Sequence, residues 1–397
     1  MGPTTIIKNV RVFNGEALLD GAKTVVIENS EISSVADYKK TEEAGDLDKL
    51  TGDNGDVTVI DGDGCTLLPG LIDTHVHIDS VAELSTCAEY GVTTVCDMAC
   101  MPFSRYEELR SISRSGSSPA SWLGTSLPAY SAASRHGTMF RLRGIGDEHA
   151  LRTVADVPPF IEARARDGVD YVKIIADTPG GLDQDVLDAI QVEARKRSLM
   201  TVAHTAMYEA FERGLAAGFD VLTHVPMDHA VDESITARMR AQGTVAIPTL
   251  AMMEGFKKSW VLWPLFYKRD FAVALRSVAA MKEAGVPILV GTDAHSFPLL
   301  DVRVGRAMHR ELELLVQAGL TPSEALEAAT TLPAKWFGLH DRGRVGPGLR
   351  ADLLLVIGDP TMDISNTRNI VKVWSAGTEV NLAACYSTAQ RGGCALM

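Results

Sequence analysis

The chain has 397 residues and a formal net charge of −13, with 46% hydrophobic and 22% charged residues. This length can hold one large domain and a smaller one, and the composition is ordinary for a globular protein. The negative balance argues against nucleic acid or an anionic membrane as the main partner. The six cysteines lack the spacing of a disulfide framework, and the N-terminus lacks an apolar leader. We therefore expect reduced thiols in a cytoplasmic protein.

Short strands separated by turn signals are predicted near the N-terminus. The next segment, residues 40–56, is acidic and rich in turn residues, and we expect a solvated loop without a function. Strand character resumes after this loop and continues to residue 68. The predicted strands are Thr5–Val10, Val12–Phe13, Thr24–Glu28, Ile32–Ala36, Val57–Ile60 and Cys65–Leu68.

From residue 67 strands alternate with helices, a pattern typical of a parallel α/β sheet. Eight strands that each lead to a helix predict a (β/α)8 TIM barrel. The eight predicted strands are Leu67–Ile72, Thr93–Asp97, Trp122–Ser126, Tyr171–Ala176, Met200–Ala203, Val221–Thr223, Val245–Thr249 and Ile288–Gly291. The helices predicted between them include Val186–Arg197, Tyr208–Ala217, Ser234–Ala241 and Ala272–Ala284.

Strands return near the C-terminus, where Leu353–Ile357 and Ile370–Ser375 are apolar runs of strand length. Between the barrel strands and these runs, Thr321 and Glu324 predict a capping box at the start of a further helix. Because both chain ends are rich in strands, we expect them to pair in one small β-sandwich domain. The predicted domains are the β-sandwich, residues 1–66 and 340–383, the barrel, residues 67–339, and a flexible tail, residues 384–397.

The last four residues, Cys394 to Met397, have the form that prenyltransferases recognise. Stable anchoring usually needs a second signal, such as a basic cluster, and the preceding residues offer only Arg391. We therefore favour a chance tetrapeptide. Membrane association is expected only if Cys394 is prenylated.

A His-x-His pair follows the first predicted barrel strand. His75 and His77 are two residues apart, so in an extended chain both side chains point to the same side. An isolated pair of this kind usually consists of polar residues that leave a strand for solvent. Here a buried apolar strand directs both imidazoles towards one point, which predicts half of a metal site.

Other residues that can bind metals lie at the ends of later strands, where barrels of this kind carry their function. Lys173 is the most informative, because a lysine flanked by apolar residues in a buried strand is costly to desolvate. Burial lowers the pKa of a lysine, and its neutral amine can add carbon dioxide to form a carbamate that bridges two cations. Taken singly, each histidine could be a satisfied polar residue, and Asp293 could be a helix N-cap. The full set is His75, His77, Lys173, His204, His224 and Asp293.

This combination resembles the amidohydrolase superfamily, in particular its branch with two metals and a carboxylated lysine. Within that branch it is most similar to imidazolonepropionase-like and prolidase-like enzymes. The resemblance covers nearly the whole chain, from the N-terminal β-segment through the Pro-Gly-Leu-Ile-Asp-x-His-x-His motif to the Gly-x-Gly-x-x-Ala-Asp motif that ends at Asp352. The ligands it implies are His75, His77, Lys173 as carbamate and Asp293 for the more buried metal, and Lys173, His204 and His224 for the outer one.

The same resemblance implies metal-assisted hydrolysis of a carbon–nitrogen amide bond. Two divalent cations would share a hydroxide that attacks a carbonyl, while Asp293 takes up its proton and returns it to the leaving amine. Nitrogen and oxygen ligands favour zinc, with manganese, cobalt or iron as alternatives. We expect a peptide-like, N-acyl amino acid or cyclic amide substrate. The alternatives are lactone hydrolysis or decarboxylation on the same metals, and a non-catalytic binding protein.

Four more residues are predicted on loops at the same rim. His136 follows the third strand, where similar peptidase-like enzymes contact substrate, although a surface loop is the alternative. His229 and His295 follow the sixth and eighth strands and could orient substrate or support a metal ligand. For Tyr208, a place on a helix surface is equally compatible. The candidate substrate-binding residues are His136, Tyr208, His229 and His295.

Specificity in a barrel of this kind comes from the loops that lead from strand to helix, and two of them are long. Residues 127–150 contain three arginines, and residues 250–267 contain a cluster of methionines and aromatic residues. For this second loop we favour an apolar lid over the pocket. A dimer contact, which would make the protein a homo-oligomer, and ordinary core packing are the alternatives. An apolar lid opposite arginines suits a bulky amide that carries an acid.

Overall fold

The chain forms an α/β structure whose strands come in two groups, one from the chain ends and one from the middle. The computed structural model describes residues 3–39, 57–259, 270–296 and 300–382. The predicted loop at 40–56 and the predicted tail with Cys394 lie outside these residues. The strands are β1 (Thr4–Val12), β2 (Lys23–Glu28), β3 (Glu31–Asp37), β4 (Val57–Asp61), β5 (Cys65–Pro69), β6 (Leu71–Val76), β7 (Val92–Asp97), β8 (Ser121–Gly124), β9 (Tyr171–Ile175), β10 (Met200–His204), β11 (Val221–Thr223), β12 (Val245–Ile247), β13 (Leu353–Ile357), β14 (Ile370–Ser375) and β15 (Thr378–Glu379).

Helices follow most of the strands in the middle of the chain. They are α1 (Val81–Glu89), α2 (Phe103–Ser115), α3 (Arg135–Leu142), α4 (Val157–Asp167), α5 (Gln184–Arg195), α6 (Tyr208–Ala217), α7 (Glu233–Gln242), α8 (Leu250–Lys258), α9 (Phe271–Glu283), α10 (Arg306–Gln317), α11 (Pro322–Ala328) and α12 (Thr331–Trp336). The predicted capping box is present, because Thr321 and Glu324 each accept a hydrogen bond from the backbone N–H of the other. Across the described ranges, every helix is too short or too polar to cross a membrane.

The strands from the two chain ends share one sheet. Its order is β15-β14-β13-β5-β1-β2-β3, and β4 pairs with β1. The link between the ends is the antiparallel pair β5–β13, in which Cys65 lies opposite Ile357 and Pro69 opposite Leu353. Buried side chains such as Leu67, Leu355 and Trp374 form a core that belongs to this sheet. The boundaries of the predicted domains remain predictions.

The middle of the chain forms two parallel sheets, β6-β7-β8 and β9-β10-β11-β12. Isolated parallel bridges continue from one sheet to the other. Ala129, just beyond β8, bridges Ile174 of β9, while Ile288 bridges Ala246 of β12 and Ala294 bridges Val76 of β6. Residues 287–294 therefore lie between β12 and β6. The α/β class and the parallel strands predicted from the sequence are confirmed.

The strand that leads to the histidine pair differs from the prediction. The predicted strand Leu67–Ile72 is wrong, because Gly70 divides this apolar run into β5, in the terminal sheet, and β6, in the parallel sheet. A Cβ atom on Gly70 would lie 2.2 Å from Oγ1 of Thr93, so the crossing from one sheet to the next requires glycine. The predicted eighth strand, Ile288–Gly291, is also not a regular strand and makes only the bridge at Ile288 in its range.

Candidate metal centre

Two imidazoles and one carboxylate from distant parts of the chain come together at the first group of possible metal ligands. His75, His224 and Asp293 each offer one possible ligand atom, and these atoms lie within 4.8 Å of one another. The Nε2 atoms of His75 and His77 lie 3.4 and 3.1 Å from Oδ1 of Asp293, and Nδ1 of His224 lies 3.9 Å from its Oδ2. Three of the predicted ligands, His75, His77 and His224, thus lie around the carboxylate of Asp293, and we refer to these four residues as the inner cluster.

The other two predicted ligands lie beside the inner cluster. His204 ends β10, and its ring centroid is 4.2 Å from that of His224. Lys173, in the middle of β9, is only 2% exposed and donates a hydrogen bond from Nζ to Oγ1 of Thr223 at 3.1 Å. The charge of Asp293 acts on this amine. The structure therefore brings all six predicted residues together.

The buried amine of Lys173 has an unusual protonation equilibrium. Burial lowers its pKa to about 7, although the negative charges of Asp293 and Asp177 act in the opposite direction. Burial also holds the pKa of His75 and His224 well below the usual value. A large fraction of the lysine is therefore neutral near pH 7, as carbamate formation requires, and the imidazoles are in the neutral form that binds metals.

Several buried nitrogens in this region have no hydrogen-bond partner in the described part of the chain. They include Nδ1 of His75 and Nε2 of His224. The other nitrogen of His224, Nδ1, lies 2.7 Å from Oγ1 of Thr249, which fixes the ring and leaves Nε2 as a ligand atom. Because buried polar atoms in proteins almost always have a partner, Nε2 of His224 fits a divalent cation that would provide one.

Three residues of this region have a left-handed backbone, although none of them is glycine. The φ angles are 71° for His224, 52° for Thr249 and 53° for Asp293. Such conformations cost on the order of 1–3 kcal/mol each and are concentrated at functional sites. Here they turn the chain at the ends of strands so that the side chains point into the cluster. They also explain why the predicted strand Val245–Thr249 ends early, at Ile247.

A second group of possible ligands adjoins the first through His204. His136, Asp177 and His204 also place one ligand atom each within 4.8 Å of one another, and we call them the outer cluster. Nε2 of His204 lies 3.0 Å from Oδ2 of Asp177, whose Oδ1 accepts a hydrogen bond from the N–H of Ala206 at 2.8 Å. Burial by itself raises the pKa of Asp177, but His204 outweighs this effect, so the carboxylate is ionised.

Sequence reasoning missed Asp177 as a site residue. The signal available was its position four residues after Lys173, just past the end of β9. His136 was predicted on a surface or substrate-contacting loop, but it lies in the first turn of α3, and its ring centroid is 4.4 Å from that of His204. His136 therefore contacts the predicted ligand His204.

The remaining candidate substrate residues lie at the start of α6 and near Asp293. The rings of Tyr208 and His229 are in edge contact with centroids 4.7 Å apart, and the hydroxyl of Tyr208 donates to Asp232. His295 is half-buried, and its pKa is lowered by burial while the charge of Asp293 opposes the shift. His295 therefore lies within the electrostatic reach of the inner cluster. The substrate-binding role of each of these three residues stays a prediction.

The loop predicted as an apolar lid is partly a core helix. Residues 250–258 form α8, and Met252 and Met253 are buried in the main core. The lid prediction is therefore wrong for these two methionines, since they pack beneath the surface. Phe256, a further member of the predicted cluster, lies in α8 and packs partly buried against the same core. The remaining aromatic residues, Trp260, Trp263, Phe266 and Tyr267, lie outside the described residues.

Known proteins similar to this chain include hydrolases. Residues 66–380 match the model of the amidohydrolase family. An uncharacterized protein of Mycobacterium tuberculosis is 28% identical over 330 residues, which cover 75% of this chain and 80% of that protein. An imidazolonepropionase of Deinococcus deserti is 38% identical over 103 residues, 25% of each chain. One similar solved structure is that of a Xaa-Pro dipeptidase with bound methionine in the active site. Its sequence is 21% identical, the TM-score is 0.79, and the superposition covers 95% of this chain and 99% of that chain.

A parallel α/β fold with histidines and carboxylates grouped at the strand ends defines a class of enzymes that bind divalent metals. Within this class the chain belongs to the amidohydrolase family, whose model spans most of its length. The predictions of this family and of a hydrolase that acts on carbon–nitrogen bonds are confirmed. The likeness to the dipeptidase structure concerns the fold.

Proposed function

We propose that the protein hydrolyses the amide bond of a small peptide-like, N-acyl amino acid or cyclic amide substrate at a centre of two divalent cations. The observation that carries this proposal is the inner cluster, in which Asp293 lies between three histidines and close to the neutral form of Lys173. Zinc suits this donor set best, and manganese, cobalt or iron are alternatives. We also propose a cytoplasmic location.

The proposed roles follow from the positions of the side chains. His75, His77 and Asp293 would hold the inner cation, and the carbamate form of Lys173 would join it to a second one. Bound cations supply Lewis-acid activation of water and of the substrate carbonyl. Asp293 is the proposed proton carrier between the attacking water and the leaving amine. Burial alone would raise its pKa, but His75 and the other histidines hold it well below the usual value, so the carboxylate is available as a base.

The substrate class is inferred from the enzymes that this chain resembles. Imidazolonepropionase and Xaa-Pro dipeptidase are the names of the similar proteins, and they suggest a cyclic amide and a dipeptide, respectively. His136, Tyr208, His229 and His295 are proposed substrate contacts in the surrounding loops. A bulky amide that carries a carboxylate remains the preferred substrate, because Arg143 is near enough to His295 to influence its pKa.

The proposed architecture is a closed (β/α)8 barrel that carries a small β-domain, in which the terminal strands form one sheet and not the two sheets of the predicted β-sandwich. The support for closure is the bridging of both parallel sheets by Ala129 and by residues 287–294. Additional support comes from one buried apolar cluster to which both sheets and this segment contribute, including Cys96, Tyr171 and Leu289. Eight parallel segments in this arrangement match the number required by the barrel.

The test is metal analysis of the purified protein together with a screen of dipeptides, N-acyl amino acids and cyclic amides. We expect stoichiometric metal and turnover of at least one amide class, with turnover reduced at least about 1,000-fold by Asp293→Asn. The control is Asp188→Asn, an exposed helical position that should keep full activity. A protein without stoichiometric metal, or an Asp293→Asn variant with full turnover, would contradict the proposal.

A further inference from the structure

A cleft of about 750 Å³ lies between helices α2 and α4. One face of α2 forms the first wall, because the lining residues of this helix, from Phe103 to Arg114, recur three and four positions apart. The C-terminal part of α4 and Gly168, which follows it, form the second wall. The cleft shares no residue with the inner or the outer cluster, so the proposed metal centre does not account for it.

The cleft carries positive charge, although the net charge of the chain is −13. Its acidic residues are Glu107 and Asp167, and the carboxylate of Asp167 is paired with Arg164 at 2.8 Å. Asp170 lies nearby and accepts a hydrogen bond from the N–H of Gly124. The three arginines that line the cleft are Arg110, Arg114 and Arg166. They leave a surplus of positive charge, which suits an anionic ligand.

One of the three guanidinium groups is held in place. Nη1 of Arg110 donates to the carbonyl of Asp167 at 2.8 Å and to the hydroxyl of Tyr106. A Cβ atom on Gly168 would lie 2.8 Å from Nη2 of Arg110, so this guanidinium packs directly against the end of α4. Arg114 and Arg166 are exposed, and over the described ranges neither guanidinium has an ion-pair partner within 4.0 Å. Both can therefore turn towards a ligand in the cleft.

An aromatic pair lines the cleft near the start of α2. The rings of Phe103 and Tyr106 are stacked, with centroids 5.5 Å apart and planes inclined by 16°. Tyr106 is buried, whereas Phe103 is 45% exposed. The buried ring supports the exposed one, which presents a flat apolar surface. Planar bases stack on surfaces of this kind whatever their sequence.

The chemical groups follow one another along α2 in a fixed order. Each helical residue advances about 1.5 Å along the axis, so Glu107 lies about 6 Å and Arg110 about 10 Å beyond Phe103. A nucleoside triphosphate carries a planar base, a sugar with two hydroxyls and a chain of phosphates in the same order. A carboxylate is a common acceptor for ribose hydroxyls, and arginine suits phosphate. The helix dipole favours a basic residue in the last turn, as at Arg114, but it does not explain the aromatic surface in the same cleft.

We propose that this cleft is a binding site for a nucleoside triphosphate. The base stacks on Phe103, and Glu107 accepts hydrogen bonds from the ribose. The phosphates lie against the three arginines. The inference goes beyond the proposed function and is independent of it, because it concerns binding at a second site and breaks no bond of the ligand.

The test is calorimetric titration of the purified holo-protein with ATP, without added magnesium. We expect one site per chain with a dissociation constant below about 1 mM. Arg114→Gln and Arg166→Gln should each weaken binding at least about tenfold, because each loses charge-assisted hydrogen bonds to phosphate. The matched control is Arg276→Gln, at an exposed position of α9, which should bind ATP as the wild type does. The absence of saturable binding in this range, or equal affinities in Arg166→Gln and Arg276→Gln, would overturn the inference.

A second comparison distinguishes a nucleotide from other polyanions. Phe103→Ala should weaken ATP binding about tenfold and leave the affinity for inorganic triphosphate unchanged, because only the stacking surface is lost. Val192→Ala, which shortens an exposed apolar side chain of α5, is the control and should change neither affinity. Circular dichroism melts show whether each variant is folded. If the wild type binds triphosphate as tightly as ATP, the ring contributes nothing and the inference is overturned.

Discussion

Thr249 holds His224 in one orientation through a contact of 2.7 Å between its Oγ1 and Nδ1 of the imidazole. Both residues have positive φ angles, and both are buried at the ends of adjacent strands. The hydroxyl occupies one ring nitrogen, so only Nε2 is available to a cation. A metal-ligating histidine commonly has such a partner for its second nitrogen, and the partner fixes the ring and its tautomer.

Replacement of this hydroxyl should weaken metal binding while the fold persists. Thr249→Val keeps the side-chain volume and removes the contact with His224, so we expect a 10–100-fold loss of zinc affinity at the position that His224 binds. The measurement is a calorimetric titration of the apo-protein. The matched control is Thr244→Val at the opposite end of β12, where the hydroxyl faces the carbonyl of Phe219. Equal affinities in the wild type and Thr249→Val would show that the contact has no role in orientation.

Glu311 connects helix α10 to the start of α8, next to Thr249. Its buried carboxyl group accepts hydrogen bonds from the N–H groups of Leu250 and Ala251, and burial raises its pKa from 4.5 to about 8. Between these values the folded protein binds more protons than the unfolded chain, so the free energy of unfolding falls as pH rises across the window. The slope reaches at most about 1.4 kcal/mol per pH unit.

The variant Glu311→Gln cannot ionise and should lack this contribution to the pH dependence. Chemical denaturation at several pH values between 5 and 8 should therefore show the wild type losing stability more steeply than the variant. Glu283→Gln, at an exposed position of α9, serves as the control and should follow the wild type. Parallel stability curves for wild type and Glu311→Gln would disprove the assignment of this proton to Glu311.

The six residues predicted as ligands could be found from the sequence because two simple signals coincide. Each is a residue type able to bind metal, or to do so after modification, and each lies at or in a predicted strand of one parallel sheet. Lys173 shows this best, since a cation in the middle of an apolar strand must have a special environment. In the structure Lys173 lies beside the inner cluster, and burial lowers its pKa to about 7.

Thr249 and the division of the first strand could not be predicted, for physical reasons. Thr249 reaches the site through a turn whose direction depends on its own backbone conformation, which has a positive φ. The run from Cys65 to Val76 is buried on both faces in β5 and in β6. It therefore shows no alternation that would reveal its passage from one sheet to another.

Gly291 allows the 287–294 segment to approach β6 closely enough to position Asp293. A Cβ atom there would lie 2.4 Å from Cγ2 of Ile247 and 2.8 Å from Cβ of His75. Gly291→Ala should therefore destabilise the fold by about 1–3 kcal/mol and weaken metal binding, because the histidine must move away. Chemical denaturation measures the free energy of unfolding, and zinc titration of the apo-protein measures the metal affinity. Gly346→Ala, whose added Cβ would have its nearest neighbour at 3.6 Å, is the control. A Gly291→Ala variant with unchanged stability would show that the segment can shift freely.

Arg342 links the C-terminal segment to the parallel sheet. Its Nη1 donates to Oγ1 of Thr94 and Oγ of Ser121, and lies 3.5 Å from the buried carboxylate of Asp352. Arg350 also pairs with this carboxylate at 2.9 Å, so removal of Arg342 does not leave the charge entirely unpaired. We therefore expect Arg342→Met to lower the free energy of unfolding by about 1–3 kcal/mol, less than the cost of breaking an isolated buried pair.

The position of Arg342 makes this loss informative about how the two parts of the chain are coupled. If the terminal sheet and the parallel sheets unfold together, Arg342→Met lowers the midpoint temperature of a single unfolding transition. If the coupling is weaker, the variant shows two separate unfolding transitions. Calorimetry and circular dichroism on the same samples distinguish these outcomes. The exposed Arg344→Met serves as the control and should leave stability within about 0.5 kcal/mol of the wild type. A change in Arg342→Met no larger than in this control would mean that the link contributes nothing to stability.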